Sequence, residues 1–195
     1  MTGFIRCSEP DRLDAISKDL EGACPMVHDA GPHSEHERWL RRSIELASAG
    51  SSAGYGRPFG AVIVRDSKMV AEAHNEVIRL NDPTAHAEIL VIRRAAAALG
   101  SRDLSGCDVY VNGMPCPMCY SAMYWAGLRK LYYACTAEQL ARIVGIDDSE
   151  LYADLALPPA QRKLLPAEQI TSVLRDAVAC YEAWGHRGHT RGALS

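Results

Sequence analysis

Two short segments of the sequence carry residues that could bind a metal ion and move protons. Residues 84–88 are Thr-Ala-His-Ala-Glu, and residues 115–119 are Pro-Cys-Pro-Met-Cys. His86, Cys116 and Cys119 supply three ligands of a zinc site, and no fourth ligand follows at a standard spacing. An open coordination position is typical of a catalytic zinc rather than of a structural one.

The spacing within each segment indicates how the side chains meet. Two helical positions correspond to about 200° of rotation, so His86 and Glu88 cannot share the side of a helix. They can share a site beyond the helix N-terminus, because side chains lean toward that end. Cys116 and Cys119 lie on one face of a first helical turn, where unpaired backbone N–H groups favour thiolates. We therefore expect two helix N-termini to face one metal ion.

The chemistry that these residues predict is hydrolytic deamination. Zinc lowers the pKa of a water toward ~7, so that the water can attack an electron-poor ring carbon that bears an amino group. Glu88 is not a ligand, and we expect it to accept the water proton, protonate a ring nitrogen and then protonate the leaving ammonia. The combination His-x-Glu with Pro-Cys-x-x-Cys matches the signature of zinc-dependent nucleobase deaminases.

Two simpler interpretations of the cysteine pair compete with this one. Cys-x-x-Cys is also a redox motif, but a redox pair does not account for the second matching segment around the histidine. A purely structural zinc could be completed by Cys107 or Cys135, but such a site has no need of Glu88.

Each metal-binding segment needs a helix that positions it. Residues 81–83 break the chain and can begin a helix that continues to about Leu99. Residues 116–126 form a second predicted helix, which ends at Gly127. An earlier helix is predicted from Ser34, where a capping-box spacing precedes apolar residues at helical intervals.

Short apolar and β-branched runs predict the strands. They cover residues 61–64, 69–74, 107–112 and 130–134, with a hairpin turn at residues 66–68. Further helices are predicted over residues 137–143, 149–156 and 174–184. Strands that alternate with helices predict an α/β fold, with three αβα layers around a mostly parallel sheet.

Length and composition favour one globular domain. The chain has 195 residues, of which 48% are hydrophobic and 23% charged, with a net charge of -3. This charge gives no general attraction for a phosphate backbone. Residues 1–33 are rich in Gly, Pro, Ser and acidic residues and are predicted to be an N-terminal extension, which leaves residues 34–195 as the catalytic domain. Without a secretory signal or a spanning apolar run, we expect a cytoplasmic protein.

The metal-binding segments resemble those of the cytidine deaminase superfamily. Pro-Phe-Gly-Ala-Val-Ile-Val at residues 58–64 and Asn-Asp-Pro-Thr at residues 81–84 occur in the same order and at similar spacing. The resemblance runs from about His36 to Trp184. It implies a mixed five-stranded sheet between helices, one Zn²⁺ per active site and an oligomer.

Within this superfamily the sequence is similar to small bacterial guanine deaminases, mainly through Gly-Ile-Asp-Asp-Ser at residues 145–149 and the tyrosine that follows. The resemblance implies that Asn75 hydrogen-bonds the base and that Phe59 lines it or stacks on it. Trp125 would help to wall the pocket. Asp148 would contact the base and assist deamination.

The same resemblance implies a homodimer whose segments beyond about Ala137 can be exchanged between partners. Two departures leave the substrate open, since the guanine type usually has Glu where Met114 stands and Gly where Arg57 stands. The leading expectation is deamination of guanine to xanthine. The alternatives are guanosine, cytosine or a related amino heterocycle, adenosine editing in tRNA, and a zinc scaffold without activity.

Overall fold

The computed structural model describes residues 34–185, so the predicted extension over residues 1–33 and the last ten residues of the predicted catalytic domain lie outside it. The helices are α1 (Glu35–Ser52), α2 (Ala87–Leu99), α3 (Pro117–Trp125), α4 (Ala137–Val144), α5 (Ser149–Leu155) and α6 (Leu174–Gly185), and the strands are β1 (Gly60–Arg65), β2 (Lys68–His74), β3 (Asp108–Gly113) and β4 (Lys130–Cys135). None of these helices combines the length and the apolar character that crossing a membrane requires.

The strands form one mixed sheet in the order β2-β1-β3-β4. β1 pairs antiparallel with both β2 and β3, and β3 pairs parallel with β4. A two-residue turn joins β1 to β2, and its residues Asp66 and Ser67 have positive φ values of 49° and 60°. Two consecutive positive φ values are the geometry of a type I′ hairpin, so the predicted hairpin is confirmed.

Two features of the predicted sheet are wrong. The described residues contain four strands rather than five, because the chain after β4 forms helices and short turns. The sheet is also not mostly parallel, since β3 and β4 form its one parallel pair. β2 and β3 do run in the same direction, joined through α2, but β1 lies between them and is antiparallel to both.

Helix α1 covers one face of the sheet. Its N-terminus is capped by Ser34, whose hydroxyl accepts a hydrogen bond from a backbone amide of the first turn (3.2 Å). Val62 and Val64, alternate residues of β1, are buried on this face and belong to a cluster with Trp39 and Leu40 of α1. The predicted start of this helix is confirmed.

Helices α2 and α3 cover the opposite face. Ala61 and Ile63 alternate with the valines of β1 and belong to a second buried cluster, which contains Val91 of α2 and Met123 of α3. Because side chains alternate along a strand, β1 supplies both cores at once. The three-layer αβα arrangement is therefore confirmed.

Helix α2 begins at Ala87, downstream of its predicted start. The Asp82 carboxylate accepts hydrogen bonds from the Thr84 amide (2.8 Å) and hydroxyl (2.7 Å), and Asn81 has a positive φ of 48°. Asp82 thus stabilises a tight turn instead of capping a helix. The later start places His86 at the N-cap position of α2.

The helices after β4 occupy the predicted positions but bury no residue. Helix α4 begins with a reciprocal capping box between Thr136 and Gln139. Short 3₁₀ turns at Pro159–Gln161 and Thr171–Val173 lie between α5 and α6. None of residues 137–185 is buried, so this segment contributes nothing to the two cores.

Gly60 lies where α1 approaches the start of β1. A Cβ atom there would overlap the carbonyl oxygen of Ser43 and lie 2.8 Å from the Ala47 nitrogen. We expect Gly60→Ala to reduce the free energy of unfolding by about 1–3 kcal/mol, the usual cost of overpacking, as measured by urea denaturation. Gly185→Ala is the control, because a Cβ atom there meets no heavy atom within 4 Å. Equal stability of the two variants would contradict the close approach.

Candidate metal centre and active site

The two metal-binding segments meet at one end of the sheet. β2, β3 and β4 all end there, and β1 begins there because it runs in the opposite direction. His86 is the N-cap residue of α2, and Cys116 is the N-cap residue of α3. Two helix N-termini therefore face the same point, as predicted from the spacing of the ligands.

The three predicted ligand atoms form a cluster of the size that zinc needs. Nδ1 of His86 lies 3.6 Å from Sγ of Cys116 and 3.5 Å from Sγ of Cys119, and all three atoms lie within 4.8 Å of one another. Tetrahedral zinc, with Zn–N of about 2.0 Å and Zn–S of about 2.3 Å, separates such atoms by about 3.5–3.8 Å. In residues 34–185 no fourth His, Cys, Asp or Glu joins the group. The donor set thus fits zinc with one position open to a water or substrate.

Of the two cysteines, Cys116 favours the thiolate form that a metal requires and Cys119 favours the thiol. A hydrogen bond from the Cys119 thiol, together with one from His86, lowers the pKa of Cys116 to about 4. The same contact with Cys116 raises the pKa of His86. The hydrogen bond to Cys116 and burial raise the pKa of Cys119, so Cys119 is the partner that keeps its proton. Binding of a metal to both sulfurs is therefore expected to release a proton.

Glu88 lies beside this cluster in the first turn of α2. Its side chain is buried, and burial raises the pKa of its carboxyl. Its own backbone amide and the nearby His86 imidazole act in the opposite direction, and Glu88 lines the same cavity as His86 and Cys116. A carboxyl with a raised pKa can both accept and return a proton near neutral pH, as the predicted role of Glu88 requires.

A cavity of about 900 Å³ opens beside the cluster and includes His86, Glu88 and Cys116 in its lining. The loop before β1, the end of β2 and helices α4 and α5 supply most of its remaining wall. A cavity of this size accommodates a small heterocyclic ligand. The metal cluster and Glu88 therefore face one cavity of that size.

Asn75, the residue predicted to bind the base, follows β2 and is 1% exposed. Its Oδ1 accepts hydrogen bonds from the backbone amides of Arg57 (3.1 Å) and Val77 (3.3 Å). Gly56 packs so closely that a Cβ atom there would overlap this oxygen. Nδ2 has no hydrogen-bond partner among the described residues, although Asn75 lines the cavity. A buried donor without a partner is costly, so this one is suited to a ligand acceptor.

Phe59 and Asp148 also line the cavity. Phe59 and Leu140 form an apolar wall over Gly113, where an added Cβ atom would lie 3.3 Å and 3.0 Å from their side chains. Asp148 is the N-cap residue of α5, but its side chain makes no capping hydrogen bond. Burial, with a smaller contribution from Cys116, raises the pKa of its carboxyl. The structure thus brings both residues to the cavity that His86, Glu88 and Cys116 line.

The structure does not bring Trp125 to this cavity. Trp125 is the last residue of α3, its side chain is 67% exposed, and it is absent from the lining. The buried residues of α3 include Cys119 and Met123, which fix the face that this helix turns inward. Trp125 follows Met123 by two positions and therefore lies on the outward side of the helix.

Sequence reasoning assigned no role to Tyr152, which lines the cavity. Burial raises the pKa of its hydroxyl. Tyr152 follows Asp148 by four positions in α5, so the helical spacing from Asp148 was a signal that could have identified it. Arg57 and Met114, the two departures from the guanine type, line the same cavity. Both departures therefore face the same cavity as the metal cluster.

Comparisons with known proteins point the same way. The chain matches the cytidine and deoxycytidylate deaminase zinc-binding region over residues 33–135. Guanine deaminase of Bacillus subtilis (strain 168) is 42% identical over 149 residues, which are 76% of this chain and 93% of that protein. An X-ray structure of guanine deaminase from Bacillus subtilis is 39% identical, with a TM-score of 0.74, and the match covers 82% of this chain and 99% of that chain.

A tRNA-specific adenosine deaminase of Agrobacterium fabrum (strain C58 / ATCC 33970) is 48% identical, but over 90 residues, which are 46% of this chain and 58% of that protein. The matched zinc-binding region contains both helix N-termini that form the metal cluster. The chain therefore belongs to the cytidine and deoxycytidylate deaminase family, and its own His-Cys-Cys cluster has the spacing that zinc requires.

Proposed function

We propose that the protein is a zinc-dependent guanine deaminase, which converts guanine and water to xanthine and ammonia. The observation that carries the proposal is the unpartnered Nδ2 of Asn75, which belongs to the same cavity as Glu88 and the metal cluster. A purine offers ring-nitrogen and carbonyl acceptors to such a donor. The similarity to guanine deaminase over 93% of that protein's length supports the same substrate.

His86, Cys116 and Cys119 hold the metal in this proposal. When bound there, zinc lowers the pKa of a water so that the water can attack near neutral pH. Glu88 accepts a proton from the attacking water, delivers it to the ring nitrogen beside the reacting carbon, and later protonates the leaving amine. The water oxygen remains on the ring as the new carbonyl, and nitrogen leaves as ammonia. Burial of Glu88 supports this role because it keeps the pKa of the carboxyl raised.

Three residues orient the base. Asn75 donates from Nδ2 to an acceptor of the purine, since its Oδ1 is already occupied by two backbone amides. Phe59 packs against the ring from the apolar wall. Asp148, which has no capping hydrogen bond to hold it, accepts a hydrogen bond from a ring N–H and assists proton transfer.

Editing of tRNA is the weaker alternative. The cavity wall carries Glu138, Asp147 and Asp148 against Arg57 and Arg142, so it offers no excess of positive charge to a phosphate backbone. The net charge of -3 adds no attraction. A free nucleobase needs no such positive surface.

Ammonia release by the zinc-loaded protein tests the proposal. The substrates are guanine, guanosine, adenine, cytosine and cytidine, and the Glu88→Gln protein is the blank. We expect turnover of guanine, with xanthine identified by its absorbance spectrum. Turnover of another compound without guanine would contradict the substrate and leave the reaction type standing. Salt-dependent binding of tRNA together with inosine formation would favour the alternative.

Two substitutions separate proton transfer from metal binding. Glu88→Gln should lower kcat at least ~10³-fold while the protein retains zinc, because the amide cannot shuttle protons. Cys116→Ala should lose both zinc and activity, since it removes a ligand. Metal content is measured by plasma mass spectrometry on the samples used for kinetics. Activity in a zinc-free Cys116→Ala protein would overturn the mechanism.

We also propose a homodimer in which the segment beyond about Ala137 is exchanged between partners. None of residues 137–185 is buried in the single chain, and Leu165, Tyr181 and Trp184 are 81%, 75% and 53% exposed. Apolar exposure of this extent favours burial against a second copy. An exchanged segment would carry Asp148 into the cavity of the partner.

Mixing two inactive variants tests the exchange. Glu88→Gln and Asp148→Asn alter opposite sides of the proposed junction, so a mixed dimer with exchanged segments would contain one site with both residues intact. Unfolding and refolding an equal mixture should restore about a quarter of wild-type activity, as random pairing of swapped chains requires. Each variant refolded alone is the control. Activity of the mixture equal to the mean of the two controls would contradict exchange at α5.

A cytoplasmic location completes the proposal. Cys116 and Cys119 must remain reduced to hold a metal, and cytosolic glutathione and thioredoxin keep thiols in that state. Fractionation of cells, with detection by an antibody, would locate the protein directly.

A further inference from the structure

Glu76 is a buried charged residue that the proposed mechanism does not use. Its side chain is 2% exposed and lies between two arginines. Arg94 of α2 donates from Nη2 to one carboxylate oxygen (2.8 Å), and Arg79 donates from Nε (2.8 Å) and Nη2 to the other. Burial opposes ionisation, but these hydrogen bonds prevail and keep the pKa of Glu76 below its usual value. Glu76 is therefore a paired carboxylate in the interior.

The backbone around Glu76 connects two parts of the candidate site. Glu76 follows Asn75 directly, and its amide donates to the carbonyl of Ala85 (2.9 Å), the residue before the metal ligand His86. The next amide, that of Val77, donates to Oδ1 of Asn75 (3.3 Å). Movement of the Glu76 backbone would thus displace a donor that orients the Asn75 amide.

The arginine partners fix this backbone to the rest of the domain. Arg94 also donates from Nη1 to the carbonyl of Glu72 in β2 (2.8 Å), so it ties α2 to β2 as well as to Glu76. The Arg79 guanidinium lies over the ring of Tyr55, 5.6 Å from its centroid. The Tyr55 carbonyl accepts hydrogen bonds from the amides of Ile78 (3.0 Å) and Arg79 (3.1 Å). The Glu76 carboxylate is the point where the two arginines meet.

We propose that Glu76 is a positioning residue for the nucleobase, which acts through Asn75 by holding the loop that aims Nδ2 into the cavity. The inference rests on the proposed function, because it assumes that Asn75 donates to the substrate. The negative charge of Glu76 is what holds the loop, because it accepts hydrogen bonds from both arginines. A glutamine at position 76 would keep the shape but turn N–H donors toward the arginine donors, and the loop would lose its charge-assisted hydrogen bonds.

Guanine binding to a protein without turnover measures the effect. In the Glu88→Gln background, adding Glu76→Gln should raise the Kd of guanine about tenfold, because one charge-assisted interaction is lost. The Kd is measured by calorimetry on proteins of equal zinc content. In the active enzyme, the same substitution should raise KM and leave kcat within about threefold. Unchanged binding would overturn the proposal, as would a loss of kcat at constant KM.

A double-mutant cycle tests whether Glu76 acts through Asn75. If it does, Glu76→Gln should have little further effect on guanine binding once Asn75 has been replaced by alanine. Additive losses would show that Glu76 acts by another route and would overturn the proposal.

Asp108→Asn is the matched control for a general loss of stability. Asp108 is also buried and forms a two-point ion pair with Arg129, with distances of 2.9 Å and 2.8 Å. It lies at the start of β3, the end of the sheet opposite the site. Asp108→Asn should lower the unfolding temperature and leave Kd unchanged. If Glu76→Gln and Asp108→Asn raise the Kd of guanine equally, the effect reflects a general loss of stability, and the proposal is overturned.

A milder variant keeps the test available if Glu76→Gln does not fold. Arg79, whose side chain is 45% exposed, can be replaced by glutamine to remove one of the two partners. Arg79→Gln should raise Kd less than Glu76→Gln, and unchanged Kd would count against the proposal. If the wild type favours another base of the panel, the guanine assignment fails, and the same cycle measured with that base still decides the role of Glu76.

Discussion

Three ligand atoms within 4.8 Å of one another set the constraint on which the domain depends. They come from the N-cap of one helix and from the N-cap and first turn of another, about thirty residues apart in the chain. The two helices must therefore begin at the same edge of the sheet, which requires β2 and β3 to run in the same direction. β1 satisfies this requirement by lying between them as the antiparallel partner of both.

The electrostatics of the centre follow from the same arrangement. Helix N-termini favour anionic groups, and both helices present such groups there, the Cys116 thiolate and the Glu88 carboxyl. These two groups repel each other, which adds to the effect of burial on the pKa of Glu88. A divalent ion with two thiolates has no net charge. It would relieve the repulsion, and burial would still raise the pKa of Glu88, as the proposed proton transfer requires.

The spacing of residues along the sequence predicts those parts of the site that are formed by residues close together in the chain. The ligand cluster, the start of α3 and the hairpin at Asp66 follow from neighbouring residues, so the sequence was sufficient for them. The parallel character of the sheet depends on which strand lies between β2 and β3, and no local pattern reveals that. The start of α2 could not be predicted because an aspartate at this position can either cap a helix or stabilise a turn, and Asp82 stabilises a turn. The outward side of Trp125 depends on which face α3 buries.

The residues that line the cavity come from two parts of the chain that differ in burial. Residues 33–135, the region that the family shares, contain the metal ligands, Glu88 and Asn75, which lie on or beside the buried sheet. Asp148 and Tyr152 lie in the later segment, whose residues are not buried. Similarity to guanine deaminase spans 149 residues and so continues outside the shared region. The residues proposed for metal binding and proton transfer thus lie in the packed region, whereas Asp148 and Tyr152 belong to a segment in which a substitution disturbs the two cores least.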